Sequence, residues 1–387
     1  MRPHILICSV NFDARPEGIC TGRLVRALLD QDVRVTLICA REKSRLGFAH
    51  PLLDVRALST GLRHPQWLWH ALARARGELP SNHYGWTRRA ASIELDELPD
   101  VIYGRAWPFS SLVAAQMLAQ RLKRPLWLHF SDPFPPPPST REAAYVMHGL
   151  QQLAAQARGA TFTNAHAARY QLRQLGLNTP AWAQVLNHVA PQAQQFGPPV
   201  IEQNIAARFV YLGSFHATRP AQPLLAGFAA YLRTGVQAHL HFVGTRRDQV
   251  QPDIQHHGVQ ARVSVEPYTQ DVPGWQARAS VLLAVDWLHG EPVYLLTKVV
   301  EALVVDRPLL LITQPGSPGD RLASQCPDTV VSVTSSEPAA VAQGMARAQA
   351  MSARPGDYAR RRALMQEFAA PEVARRCIQL LFDGPSP

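Results

Sequence analysis

The chain has 387 residues, 47% of them apolar, and its 39 Lys+Arg against 29 Asp+Glu give a formal net charge of +10. That length exceeds one ordinary domain, and the apolar content without low-complexity tracts excludes a disordered or fibrous chain. No run of about 18 apolar residues is available to span a membrane, the N-terminus lacks the apolar core of a signal peptide, and Cys8, Cys20, Cys39, Cys326 and Cys377 form no CxxC pair, which argues against a disulfide framework or a zinc site. These features predict a cytoplasmic protein with buried free thiols.

Taken in chain order, short apolar runs alternate with segments of helical period. In the first half the strand candidates are HILICSV, VRVTLICA, LDVRAL, DVIYGR, PLWLHFSD and ATFTNA. Helices GRLVRALLDQ, SSLVAAQMLAQRL and AAYVMHGLQQLAAQA lie between them, and ARARGELPSNHYGWTRRAAS suits a mobile loop or a helix pair. SDPFPPPPSTR, from Ser131, cannot continue a strand and reads as a stiff polyproline-like loop. The polar, proline-bearing stretch 186–204 then interrupts the alternation and marks a boundary. Beyond it come strands RFVYLGS, AHLHFVG, RVSVEPY, SVLLAVD, PLLLIT and TVVSVT, with helices AQPLLAGFAAYLRT, TKVVEALVV and EPAAVAQGMARAQAM, and two closing helices follow. Val/Ile/Leu-rich strands alternating with helices indicate parallel sheets covered on both faces. The expected organisation is α/β: two doubly wound Rossmann-like domains facing across a cleft, over residues 1–188 and 189–369, with 370–387 as a closing helix that packs back on the first domain.

Charge is unevenly spread. Residues 1–190 hold 22 Lys+Arg against 13 Asp+Glu, a balance of +9, and residues 191–387 hold 17 against 16. A basic first half fits an anionic partner such as a membrane surface or a lipid phosphate, although arginines scattered over helical faces are equally a solvated surface. Base-stacking aromatics are sparse there, so nucleic acid is not expected as a partner.

In doubly wound sheets ligands sit at the carboxyl ends of strands, so the following loops hold the candidate site residues. FVYLGSFHATRP runs a strand into Gly213, with Arg219 six residues later and a helix beyond, an arrangement suited to phosphate. In LTKVVEALVVDRP, Thr297 is a candidate cap, and Lys298 and Glu301 share one face of a helix whose remainder is apolar. Lys298 is one of only three lysines in the chain, with Lys43 and Lys123. A surface ion pair worth a few tenths of a kcal/mol is the plain alternative. The apolar surroundings favour a pair directed into a cleft, where a lysine suits a diphosphate and a carboxylate one turn later suits ribose hydroxyls.

These stretches resemble the family 4 glycosyltransferases of the GT-B fold. FVYLGSFHATRPAQPLLAGF, LHFVGT, VSVEPYTQDVPGWQARASVLLAV and TKVVEALVVDRPLLL follow that family's motifs in order over about residues 208–313. The resemblance implies that Arg219 is the phosphate-binding cation, Lys298 lies beside the diphosphate, and Glu301 holds the ribose. It further implies that the backbone at Pro267 and Tyr268 borders the nucleobase. Two positions depart from the pattern: Ser214 stands where the family has arginine, and Val293 where it has the first glutamate of a pair, with Glu291 two residues early as a substitute for sugar recognition. In the first half, RPEGICTGRLVRALLDQDVRVTLI resembles the family's N-terminal segment, with Gly18 as its loop glycine. LWLHFSDPF resembles the strand and loop that approach the sugar, which makes His129 a catalytic and Asp132 an acceptor-side candidate; a core histidine and a turn-capping aspartate are the plain alternatives.

The resemblance implies a glycosyltransferase that moves a sugar from a nucleotide-diphosphate donor to a glycan or lipid-linked acceptor, with retention of configuration, in bacterial envelope or exopolysaccharide synthesis. No metal or resident cofactor is expected, because Arg219, Lys298 and helix-terminal amides would carry the leaving-group charge. The expected location is cytoplasmic, with peripheral contact on the inner membrane face through the basic first half. A nucleotide-sugar epimerase or hydrolase, and a degenerate nucleotide- or carbohydrate-binding protein, are the alternatives.

Overall fold

The computed structural model describes residues 2–61, 66–134, 143–197, 207–216, 219–286, 288–353 and 357–384. The polyproline run from Pro135 onward and the end of the predicted boundary stretch lie outside the described residues. The chain divides into two compact units, one of residues 1–189 with 367–387, the other of residues 190–366.

The first unit holds a seven-stranded sheet of β1 (His4–Cys8), β2 (Arg34–Ala40), β3 (Leu53–Leu58), β4 (Val101–Ala106), β5 (Leu126–Phe130), β6 (Gly159–Phe162) and β7 (Ala183–Val185). All strands are parallel, in the order β3-β2-β1-β4-β5-β6-β7. The second unit holds β8 (Ala207–Leu212), β9 (Ala238–Val243), β10 (Val263–Glu266), β11 (Val281–Val285), β12 (Leu309–Ile312) and β13 (Val330–Val333), also parallel, in the order β10-β9-β8-β11-β12-β13. Every predicted strand is present; the added one is three-residue β7, whose Gln184 breaks the apolar run. The segment 73–92 is a helix pair, completing Gln66–Ala75 and forming Tyr84–Ala91.

The period-two alternation of a strand puts neighbours on opposite faces, and in the first sheet both faces are buried. Leu6 and Cys8 join a core with Ile102, Leu128, Phe130 and Phe162, while Ile5 and Ile7 join one with Val35, Leu37, Tyr103 and Trp127. The second of these cores is closed by helices Arg15–Leu29 and Ala370–Ile378, the latter contributing Val373, Ala374 and Cys377, with Leu380 and Leu381 just beyond. All five cysteines are buried and none is in a disulfide.

In the second unit Phe209, Tyr211, Leu283, Val285, Leu310 and Ile312 share one core with the helices Gln222–Leu232 and Pro338–Ser352. Those helices approach closely because Gly227 lacks a side chain: a Cβ there would stand 2.2 Å from Val341 Cγ1. In each sheet the chain leaves the first strand to one side and later returns on the other, which places a topological switch at β1/β4 and at β8/β11.

Candidate functional site

At the carboxyl edge of β8 several predicted residues meet. Tyr211 is fully buried and its ring stacks on Phe215 with centroids 4.2 Å apart. Gly213 follows with φ +116°, a conformation in which only glycine is unstrained. Its amide donates to the Val243 carbonyl at 2.7 Å and its carbonyl accepts from the Thr245 hydroxyl, so the end of β9 and the loop after it hold Gly213 through both backbone groups. The side chain of Lys298 crosses the space a Cβ would need: such an atom would lie 2.2 Å from Nζ.

The two cations converge on one carbonyl. Ser214 O accepts from Lys298 Nζ at 3.2 Å, from Arg219 Nη2 at 3.3 Å and from the Tyr211 hydroxyl at 3.2 Å. Lys298 Nζ also donates to the Tyr211 hydroxyl at 3.4 Å and lies 5.0 Å from the ring centroid. A backbone bridge fixes the turn that carries Arg219, with Arg219 N donating to His216 O at 2.9 Å and His216 N to Arg219 O at 3.2 Å. Arg219 Nε is buried and has no hydrogen-bond partner.

Burial, then the nearby Arg219, lowers the Lys298 pKa to about 7, a change that Glu301 opposes. Burial pushes the Tyr211 phenol up to about 12, and burial followed by Arg219 and Lys298 lowers the His216 imidazole. At neutral pH the phenol and imidazole are therefore uncharged, and the positive charge lies on Arg219 and on the protonated fraction of Lys298, which grows as pH falls below 7. Two cationic side chains converging at a switch-point strand end are an arrangement suited to an anion.

Pro267 and Tyr268 follow β10 and are exposed, Tyr268 at 70%. Their loop abuts the glycine corner: Gly244 N donates to Glu266 O at 3.0 Å, and a Cβ on Gly244 would sit 3.8 Å from Gly213 Cα and 3.9 Å from Tyr268 Cα. The helix Thr297–Leu303 carries Glu301, which is half-buried, one turn after Lys298. Thr297 is not the cap. Leu296 occupies that position with extended backbone and no capping side chain, so Thr297 is the first helical residue. Glu291 is exposed in the preceding loop, whereas Val293 is buried. The far end of the helix is clamped by Arg361, which is 1% exposed and donates to the carbonyls of Leu303, Val305 and Arg307 at 2.8 Å each and to that of Ala302.

The remaining candidates belong to the first unit. His129 is the fourth of five β5 residues and 2% exposed, with Nδ1 2.9 Å from Thr161 Oγ1 and Nε2 3.3 Å from Ser131 Oγ. Burial, then Arg105 and His188, holds its pKa well below the usual value, so the ring is neutral. Asp132 is exposed in the bend after β5. Gly18 is not a loop glycine but the fourth residue of the helix Arg15–Leu29; a Cβ there would meet the backbone of Asn11 and Phe12 at 3.0–3.1 Å, so its role in the fold is close packing of the helix on the β1 loop. Tyr211, Thr245 and Arg361 escaped the sequence reading. Only Thr245 carried a local signal, as the polar residue following the Val243-Gly244 strand end.

Residues 18–188 match the model of the glycosyl transferase 4-like domain. By fold, the chain is similar to HepE of Anabaena, solved with UDP and glucose (14% identity, 98% of this chain and 99% of that one, TM-score 0.66). It is also similar to the lipopolysaccharide outer core galactosyltransferase WaaB (13%, 99% and 99%, 0.66) and to a UDP-forming α,α-trehalose-phosphate synthase from Burkholderia xenovorans (12%, 100% and 100%, 0.66). No protein of curated function matches the sequence at a significant level. The match to the glycosyl transferase 4-like domain covers residues 18–188, and along its full length the chain has the fold of the GT-B glycosyltransferases.

Proposed function

We propose that this protein transfers a sugar from a uridine-diphosphate donor to a glycan or lipid-linked acceptor. The observation that carries the reading is the convergence of Arg219 and Lys298 on Ser214 O at the switch-point end of β8. A diphosphate replaces that single carbonyl as the partner of both cations and supplies the acceptor that Arg219 Nε lacks. Glu301 takes the ribose hydroxyls one turn along the helix, and the Pro267–Tyr268 backbone borders the base. Uridine is chosen because HepE, of the same fold, is solved with UDP and with UDP-glucose.

In this reading the bond from the anomeric carbon to the β-phosphate oxygen breaks, and its electron pair stays on the departing diphosphate. Arg219 and Lys298 stabilise the charge that develops there, so their attraction is stronger in the transition state than in the ground state. The acceptor oxygen bonds to the anomeric carbon and its proton passes to the departing phosphate, giving retention without a protein nucleophile or a metal ion. Asp132, exposed beyond β5 in the first unit, contacts the acceptor. The +9 balance of residues 1–190 fits an anionic acceptor at a membrane surface and a role in envelope or exopolysaccharide synthesis.

The test is UDP release from a panel of UDP-sugars, with and without candidate acceptors. Release that an acceptor accelerates supports transfer. Release indifferent to every acceptor favours a donor hydrolase, and nucleotide binding without turnover favours a binding protein.

A further inference from the structure

The first unit holds a buried arginine with an unsatisfied donor, Arg105. Tyr103 and Arg105 alternate along β4 on the face closed by the helices Arg15–Leu29 and Ala370–Ile378. Arg105 is 5% exposed, and its register partner on β5 is His129. Arg105 Nε donates to Thr21 Oγ1 at 3.2 Å, and the guanidinium carbon lies 5.6 Å from the Tyr103 ring centroid. Its Nη1 is buried and has no hydrogen-bond partner.

Arg105 lines a cavity of about 10 Å³, together with Cys20, Leu24, His129, Asn187 and His188. That is room for about one water-sized occupant. Among the described residues no carboxylate makes an ion pair with Arg105. Three neighbouring groups carry no compensating charge: burial pushes the Tyr103 phenol and the Cys377 thiol up, so both are neutral, and His129 is neutral for the reasons given above. A buried cation without a counter-charge is strongly unfavourable, and a water molecule would satisfy Nη1 without neutralising it.

We propose that the cavity at Arg105 binds a single inorganic anion of halide size, held by the Arg105 guanidinium between the helix Arg15–Leu29 and the imidazoles of His129 and His188. The anion supplies the missing charge and joins β4 and β5 to the helix that follows β1. The cavity admits chloride or bromide and is too small for sulfate or phosphate. This site is independent of nucleotide binding in the second unit.

The experiment is thermal unfolding of the full-length protein at fixed ionic strength, with sodium gluconate replaced stepwise by chloride, bromide or sulfate, on the wild type and on Arg105→Met. The expected result is a saturable rise of about 2 °C or more in the wild type with chloride and bromide, none with sulfate, and none with any salt in the variant. Crystals soaked in bromide provide a second readout that needs no variant: an anomalous peak beside Arg105 Nη1 is expected. Equal midpoints in chloride and gluconate, a chloride effect that persists in Arg105→Met, or no bromide peak at Nη1 would each overturn the proposal.

Discussion

Lys298 is under two opposing influences. Its position across Gly213 brings Nζ to Ser214 O, where the proposed diphosphate binds, and the same burial lowers its pKa to about 7. Because a diphosphate binds the protonated amine, nucleotide affinity should fall as pH rises above 7, by up to about tenfold per unit, and Lys298→Met should remove that slope. The sign for stability is the reverse. Below pH 7 the lysine is charged in both the folded and unfolded states, and folding bears the full cost of burying the charge. Between about 7 and its ordinary value of 10.5 the unfolded chain binds more protons, so this contribution grows more favourable with pH. Lys298→Met should therefore be more stable than the parent at pH 6, by an amount that shrinks toward pH 10, as chemical denaturation would measure. Gly213→Ala should weaken nucleotide binding by another route, displacing Nζ and straining a residue at φ +116°. The placement of a rare lysine at the start of an apolar helix was legible in the sequence. Its partners were not, because Tyr211 lies 87 positions away and reads locally as one more core aromatic.

At the scale of elements, the helix Thr297–Leu303 is only seven residues long and lacks a capping side chain at its start, so packing and Arg361 hold it. Arg361→Met should remove the side-chain donor from four carbonyls, of which those of Ala302 and Val305 keep a backbone donor, costing about 2–5 kcal/mol in urea unfolding, and should loosen the element that presents Lys298 and Glu301. Gly227→Ala should cost about 1–3 kcal/mol by forcing apart the helices Gln222–Leu232 and Pro338–Ser352. Elements of this kind divide into those a sequence reveals and those it hides. Strands such as VRVTLICA and PLLLIT announce themselves by continuous apolar runs between turn residues. The short helices Gln251–His256, Val272–Arg278 and Pro318–Ser324 span two turns or fewer, too few residues for a period of 3.6 to register, and Thr297 resembled a cap because threonine often is one.

For the molecule as a whole, the chain's last segment belongs to the unit formed by its first half. Val373, Ala374, Cys377, Leu380 and Leu381 complete the core over β1, β2 and β4. Burying five such side chains contributes about 5–10 kcal/mol, comparable with the total stability of a domain. Truncation after Gln366 should therefore abolish the first unit's cooperative unfolding transition in calorimetry. The doubly wound pairing of two sheets was legible from the alternation of strand and helix, because parallel strands buried on both faces leave a nearly continuous apolar record. What the protein acts on is written in fewer residues, and their meaning depends on where Ser214 O, Arg219 and Lys298 meet. The most direct test of that meeting is a calorimetric titration of the wild type, Arg219→Met and Lys298→Met with UDP at pH 6.5. The account predicts saturable binding to the wild type, weakened about 10- to 100-fold in each variant while the folds remain intact. Equal affinity in all three proteins, or no binding to the wild type at millimolar UDP, would contradict it.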